Sequence, residues 1–315
     1  MWIHRATQAL AAVVLVASGP PAMASGQSAT GTQTMEAARK SIGEGALKRL
    51  TSLRVEGTSV RNIGERQVNT DVEVLIELPD KYMRSEASSG GMVNIASTVG
   101  FSGDRPLKSA TADQPGAGGV MIRIGPGPMS GPPPENVALT PEERQQRDRA
   151  VVRSAKQEMS RLMLGWLAMA PAAPDAEYTD AGIAESPDGR ARIVDVKDPS
   201  GLAVRLFLDE TTHLPLMLTY QAPQLRMVTT AMRGDMPAAG APRPPAFGHG
   251  AAPDTAEGPP MAEHTLYFDD WREVEGIRFP HRLRRAVAGA TTEEWTVSRV
   301  RVNPKIDSKR FEAAQ

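Results

Sequence analysis

"GLAVRLFLDETTHLPLMLTY", residues 201–220, sets an acid–histidine cluster between two apolar runs. Leu202, Val204, Leu206 and Leu208 alternate with Ala203, Arg205, Phe207 and Asp209. Beyond the break, Leu214, Leu216, Leu218 and Tyr220 alternate with Pro215, Met217 and Thr219. A period of two on both sides predicts two strands, each with one strongly apolar face. Asp209, Glu210, Thr211, Thr212 and His213 then form the connection, since Asp and Thr close turns with their own side chains. Pro215 cannot donate to a ladder and belongs at a strand start or an edge. A hairpin accounts for every residue, whereas a catalytic Asp–His pair leaves the flanking alternation unexplained.

The same alternation runs through much of the chain. Leu53–Asn62 and Gln67–Leu78 predict a hairpin about "IGER", with Val68, Thr70, Val72, Val74, Ile76 and Leu78 on one face. "KYMRSEA", Met92–Phe101 and a piece near Val120–Ile124 complete an amino-terminal sheet. "RARIVDVKDP", the opening hairpin, two strands about Glu275-Gly276 and "TTEEWTVSRVRVNP" make a carboxy-terminal one, and Phe311 is placed to tuck the tail against it. One wet face and one apolar face per strand is the pattern of antiparallel sheets.

Helical signals are few. Residues 34–51 carry Met35, Ala38, Ile42, Ala46, Leu47 and Leu50 near helical spacing, weakened by Gly43 and Gly45. Thr140-Pro141-Glu142-Glu143 is a capping box with Pro in the first turn, so a helix starts there and runs to about Met169. Val152, Ala155, Met159, Leu162, Met163 and Trp166 form its apolar stripe; Arg144, Arg147, Arg149, Arg153, Lys156 and Arg161 are assigned to a basic, solvated face.

Residues 1–24 read as a secretory signal peptide: His4 and Arg5, a short apolar run over Ala9–Ala17, and Ala22-Met23-Ala24 before a cleavage point at Ser25. Residues 25–33 read as a flexible lead and 34–315 as a single domain. Two Pro/Gly-rich insertions near 112–136 and 233–262 read as disordered loops. Export to the periplasm is the expectation, with no membrane span once the signal is cleaved. The chain has no cysteine, which excludes disulfides, zinc–thiolate sites and a thiol nucleophile. A formal net charge of −1 and 4% aromatics do not suggest nucleic-acid binding.

The sequence carries no catalytic, metal or cofactor signature. His213, His249, His264 and His281 lack the three- or four-residue spacing of a helical metal pair, leaving only a cross-hairpin meeting of His264 and His281. "GPGPMSG" lacks the lysine of a phosphate loop, and no GxSxG elbow or dinucleotide fingerprint is present. Asp269 and Asp270 are adjacent on a strand and point to opposite faces, so they cannot converge as a carboxylate pair.

Many strands with one aliphatic face need a cover, and the helices are few. The fold class that follows is α+β, mainly antiparallel, with the sheet curved round a helical plug and an apolar groove left between them. Val72, Val74 and Ile76 face this groove from the amino-terminal half, Leu206, Leu208, Leu216 and Leu218 from the other, and Met159, Met163 and Trp166 from the helix. Each buried methylene is worth roughly 0.8 kcal/mol, so such a groove suits an acyl chain.

The order of segments resembles the LolA/LolB-like superfamily of periplasmic lipoprotein carriers. An amino-terminal helix leads to "LRVEGTSV"; "LPDKYMRSEA" is similar to the family's strand–Pro–aromatic–Arg passage, here Pro79, Tyr82 and Arg84. "GFSGDRPLK" looks like the Gly-Asp strand turn that follows, with Leu107 near the place of a common aromatic. The 201–220 hairpin, "FDDWREVEGIRFPHRL" and "VNPKIDSKRFE" resemble later family segments. The resemblance implies a curved, half-open barrel closed on one side by one or two helices, with an acyl-chain groove inside. Two functional readings follow. One is a non-enzymatic carrier or sensor for a lipid or acylated protein; the other is an envelope scaffold whose groove is filled by its own side chains. An open apolar cleft favours the first and a packed interior the second.

Overall fold

The computed structural model describes residues 24–63, 66–88, 94–113, 140–187, 189–224 and 260–312. Two helices, α1 (Ala24–Leu47) and α2 (Pro141–Leu167), accompany twelve strands. The strands are β1 (Ser52–Ile63), β2 (Arg66–Glu77), β3 (Lys81–Ser88), β4 (Asn94–Ser102), β5 (Arg105–Asp113), β6 (Glu177–Ser186), β7 (Gly189–Lys197), β8 (Ala203–Asp209), β9 (Pro215–Pro223), β10 (Met261–Val274), β11 (Ile277–Val287) and β12 (Ala290–Val302). All twelve belong to one antiparallel sheet in the order β5-β4-β3-β2-β1-β12-β11-β10-β9-β8-β7-β6. Two meanders, β1–β5 and β6–β12, are therefore joined along the β1–β12 seam, and β5 and β6 are left as edges. In sequence α2 is the connection between the meanders. It packs against β3, β4 and β5 and also against β8–β11. One helix reaches both halves only because the sheet curves around it. The expected architecture, mainly antiparallel, half-open and helix-covered, is the one observed.

The hairpin that opened the reading is in place. β8 and β9 pair, and Asp209 closes the turn: its Oδ1 accepts from Thr211 N (3.0 Å), Thr212 N (2.6 Å) and Thr212 Oγ1 (2.8 Å). His213 takes the left-handed conformation (φ 57°) and donates its N–H to Asp209 O (2.8 Å). Asp209, Glu210 and His213 are turn residues, as their spacing predicts.

The helices obey their end signals. Thr140 Oγ1 accepts from Glu143 N (3.2 Å) and Glu143 Oε2 from Thr140 N (2.8 Å), which completes the capping box. α1 breaks at Gly43, whose φ of 135° is open to glycine and strained for other residues; a Cβ there would meet Gly276 O at 2.2 Å. The break seats the helix on the β10–β11 turn. At Gly165 a Cβ would meet Phe268 Cζ at 1.8 Å, so the bare backbone lets α2 lie directly on β10.

The concave face holds the main core. Met35 and Ile42 of α1 and Met159, Leu162, Met163 and Trp166 of α2 are fully buried against Val72, Val74, Leu206, Leu218 and Phe279. On the convex face Leu75, Met83, Leu107 and Phe311 form a second, small cluster. A 3-10 turn at Ser308–Phe311 brings Phe311 there, so the carboxy-terminal segment does tuck against the sheet.

One expectation needs correction, and two strands go beyond what the alternation predicts. The residues read as a flexible lead, 25–33, lie inside α1, where Gly31 is buried with room for no side chain beside Tyr178 O. A strand of the amino-terminal sheet lies at 105–113. β6 was not foreseen, because "EYTDAGIAES" has weak alternation; its pairing with β7 shifts register between Asp180 and Gly182. Residues 1–23, Val120–Ile124, His249 and nearly all of both insertions lie outside the described residues.

Candidate functional site: the wall beneath α2

The expected groove residues can be placed one by one. Val72, Val74 and Ile76 of β2, Leu206 and Leu208 of β8 and Leu218 of β9 are buried on the concave wall; Met159, Met163 and Trp166 meet them from α2. Leu216 does not. It is 39% exposed, because a bulge pairs Leu208 with Pro215 and Phe207 with Met217 and leaves Leu216 unpaired. The extra residue flips the parity of the strand start. The second correction concerns space: the groove is occupied by the side chains of the helices that cover it. Trp166 packs at 5.1 Å from Phe279 and 5.8 Å from Trp295, ring centre to ring centre.

One end of this wall is charged, and the sequence reading missed it. Glu293 of β12 lies between its cross-strand partners Arg61 of β1 and Arg285 of β11. Its Oε1 accepts from Ser59 Oγ (2.8 Å), Arg84 Nη2 (2.8 Å) and Arg61 Nη2 (3.1 Å). Arg84 Nε and Arg61 Nη2 also reach Glu86 Oε1, at 2.7 and 2.6 Å. α2 joins through Glu158, whose Oε1 accepts from Arg285 Nη2 at 2.7 Å and lies 3.7 Å from Arg84 Nη1. Arg161, assigned by its spacing to the solvated face, instead turns inward. Its guanidinium stacks 3.9 Å from the Tyr220 ring centre, and Tyr220 Oη accepts from Arg285 Nη1 (3.0 Å).

Burial and charge oppose each other here. Burial pushes the Glu293 carboxyl up, but Arg84, Arg61 and Arg285 pull it down further, far below the ordinary carboxylate range. Glu158 is likewise raised by burial and lowered by more through Arg285, Arg84 and Arg161. Both stay ionised, and Arg84 and Arg285 stay charged against the burial that disfavours them. Beside the cluster, Tyr82 Oη, Trp166 Nε1 and Trp295 Nε1 are buried without a hydrogen-bond partner among the described residues. The Arg84 guanidinium lies 5.4 Å over Trp295. The arrangement offers arginines and donors to an anion or carbonyl.

A signal for the cluster did exist. Arg84 shares its strand parity with Tyr82, Arg285 with Leu283 and Glu293 with Trp295, and each of those neighbours is buried. A charge on the apolar parity of a strand marks a buried polar site.

Two clefts lie outside the helices. One of about 1110 Å³ between the first half of α2 and the β4–β5 turn is lined by Asp104, Arg105, Arg149, Arg153 and Lys156 among others, and Lys156 Nζ reaches Asp104 Oδ1 (3.1 Å) across it. The other, about 580 Å³, runs along α1 beside Glu36, Lys40 and Met169. Among the described residues no three His, Asp or Glu side chains are gathered as metal ligands. His264 stacks on Tyr220 and His281 packs edge-on to Phe279. Asp270 is skipped in the β10–β11 pairing and turns to Arg272.

No protein-family model matches the chain, and no curated protein matches it. Among solved structures it is similar to a LolA superfamily protein from Nitrosomonas europaea, with 10% identity and a TM-score of 0.43 over 90% of this chain and 97% of that one. It is similar also to a candidate outer membrane lipoprotein-sorting protein domain from Vibrio parahaemolyticus, at 8% identity, TM-score 0.43 and the same coverage. A DUF1329 family protein from Desulfovibrio piger is similar at 10% identity and TM-score 0.41, again over 90% and 97%.

Proposed function

We propose that this chain is an exported, non-enzymatic binding protein for a hydrophobic ligand, a lipid or an acylated protein, and that α2 is the movable cover of the wall that takes it. The observation that carries the reading is the seam between α2 and the wall. Replacing a buried ion pair with apolar side chains is often neutral or stabilising, so stability alone does not account for Glu158 against Arg285 and Arg84. A charged seam regains water on both sides when it opens, whereas an all-apolar seam exposes only hydrocarbon. Among the described residues Tyr82, Trp166 and Trp295 leave polar atoms without a hydrogen-bond partner at the same seam, which closure leaves uncompensated. Beneath it lies an aliphatic wall, where each methylene of a ligand contributes roughly 0.8 kcal/mol. Placement in the periplasm rests on the signal pattern in residues 1–24. Among the described residues no helix is long and apolar enough to cross a membrane.

The packed interior favours a second reading, an envelope scaffold whose partner contacts lie elsewhere. One experiment separates the two. The chain has no cysteine, so the Asp104→Cys/Lys156→Cys variant can be bridged by a short thiol cross-linker where those side chains already meet. A fluorescent fatty acid is expected to bind the wild type in the micromolar range and the bridged protein at least about ten-fold more weakly, with recovery on cleavage of the bridge. Absence of saturable binding to the wild type would leave the scaffold reading in its place.

A further inference from the structure

We infer that the ligand is an anionic amphiphile, and that Glu158 occupies the place its headgroup takes when α2 moves away. The inference rests on the preceding proposal and names the chemical class of its ligand. It follows from where each charge is attached. Glu158 and Arg161 belong to α2 and depart with it. The wall then keeps Arg61, Arg84 and Arg285 against Glu86 and Glu293, three cations against two anions. Glu86 and Glu293 stay engaged with Arg61 and Arg84, so Arg285 loses its closest carboxylate, the one at 2.7 Å. Arg84 Nη1 loses the same group at 3.7 Å.

A carboxylate or phosphate set where the Glu158 carboxylate lies restores that pairing. A guanidinium receives such groups through two parallel N–H bonds. A neutral or cationic head leaves Arg285 with only the longer contact to Glu293, at 3.5 Å, as its carboxylate partner, and a buried charge so weakly paired is unfavourable. Tyr82 precedes Arg84 on the same strand face, and its hydroxyl, without a hydrogen-bond partner among the described residues, lies close enough to feel the charges of both Glu158 and Arg84. It supplies a further donor. A tail leads from Arg84 past Trp295, 5.4 Å away, toward Trp166 and Phe279, into the space that Met163 and Trp166 fill in the covered arrangement. Head and tail thus replace one carboxylate and one apolar stripe of the same helix.

The test compares dansyl-labelled undecanoic acid with its methyl ester, at a pH where the acid is ionised. The wild type is expected to bind the acid at least about ten-fold more tightly than the ester. Arg285→Gln should bring that ratio close to one, and Arg285→Lys should keep most of it. Glu158→Gln should raise it, because the internal competitor for the arginines has lost its charge. Acetate or inorganic phosphate should not displace the acid at concentrations that saturate a simple anion site. Displacement by either overturns the amphiphile assignment in favour of a free anion. Equal binding of acid and ester by the wild type overturns the headgroup inference while leaving hydrophobic binding intact. Binding of neither overturns both. The wild-type ratio needs no variant, so a misfolded Arg285→Gln protein does not shield the inference.

Discussion

Asp209 and Glu293 are both carboxylates with three donors on one oxygen. Asp209 draws its donors from Thr211 and Thr212, within three residues of itself, and stays near the surface. Glu293 draws them from Ser59, Arg84 and Arg61, more than two hundred residues away, and is buried. The first carboxylate holds one turn; the second fastens β1, β3 and β12 to one another and, through Arg285 and Glu158, to α2. A polar cluster that is conspicuous along the sequence can be local punctuation. One that is dispersed along it can be the chemical centre of the fold.

The largest expected effect comes from the buried side of this pair. Glu293→Ala leaves Arg84, Arg61 and Arg285 without their shared counter-charge in a low-dielectric interior. Breaking a buried pair in this way costs about 3–5 kcal/mol, to be read from urea unfolding. A loss below about 1 kcal/mol would show that water already reaches the cluster, and the contrast with Asp209 would collapse.

Acid sharpens the same contrast. Glu293 and Glu158 have folded-state pKa values below the ordinary 4.5. Their stabilisation is therefore complete above about pH 4.5, where even the unfolded carboxyls are ionised, and it is lost as pH falls through the folded values. The wild type should lose melting temperature steeply below pH 4.5, and Glu293→Gln should show a flatter profile over that range. Burial raises the Asp209 carboxyl, but the hydrogen bonds from Thr212 and Thr211 together outweigh it and hold the group below its usual value. Asp209→Asn should flatten the profile far less. Parallel profiles for Glu293→Gln and the wild type would assign the acid sensitivity to other groups.

Next in size is the turn itself. Asp209→Ala removes acceptors for two backbone N–H groups and one hydroxyl, all accessible to water, so the expected cost is about 1 kcal/mol, in the range of a lost cap. His213→Gly should be neutral or slightly stabilising, because φ of 57° suits glycine better than any side chain. Loss of ligand binding in a well-folded His213→Ala protein would reopen the catalytic interpretation of the hairpin.

Legibility in the sequence divides along the same line. The β8–β9 turn, the capping box at Thr140, the β10–β11 turn and the alternation of β2 and β12 are set within a few residues, and periodicity reads them. β6 escaped because an exposed edge strand has little apolar parity to display. The charged cluster escaped because its members stand on β1, β3, α2, β11 and β12, and each looked like an ordinary polar position. Arg161 was assigned to solvent by the basic run around it. Its burial depends on Tyr220 from a distant strand. Whether the groove is open or filled stays undecided in the sequence, since periodicity gives the face of a strand and not what lies against it.

The smallest effect tests the one place where alternation itself misled. Strict period two puts Leu216 on the face of Leu218, and a charge there would then face a desolvation penalty of several kcal/mol. The bulge changes this. Leu208 pairs with Pro215 and Phe207 with Met217, so Leu216 has no cross-strand partner and is partly in solvent, while Leu218 stays buried against Leu206 and Leu266. Leu216→Glu should thus alter unfolding free energy by no more than about 0.5 kcal/mol, as for an ordinary surface site. Leu218→Glu, two positions on, should prevent folding or cost several kcal/mol. The pair is decisive because residue type, charge and strand are the same and only the register differs. Equal damage from the two substitutions would mean that β9 pairs without the bulge and that Leu216 faces the interior after all.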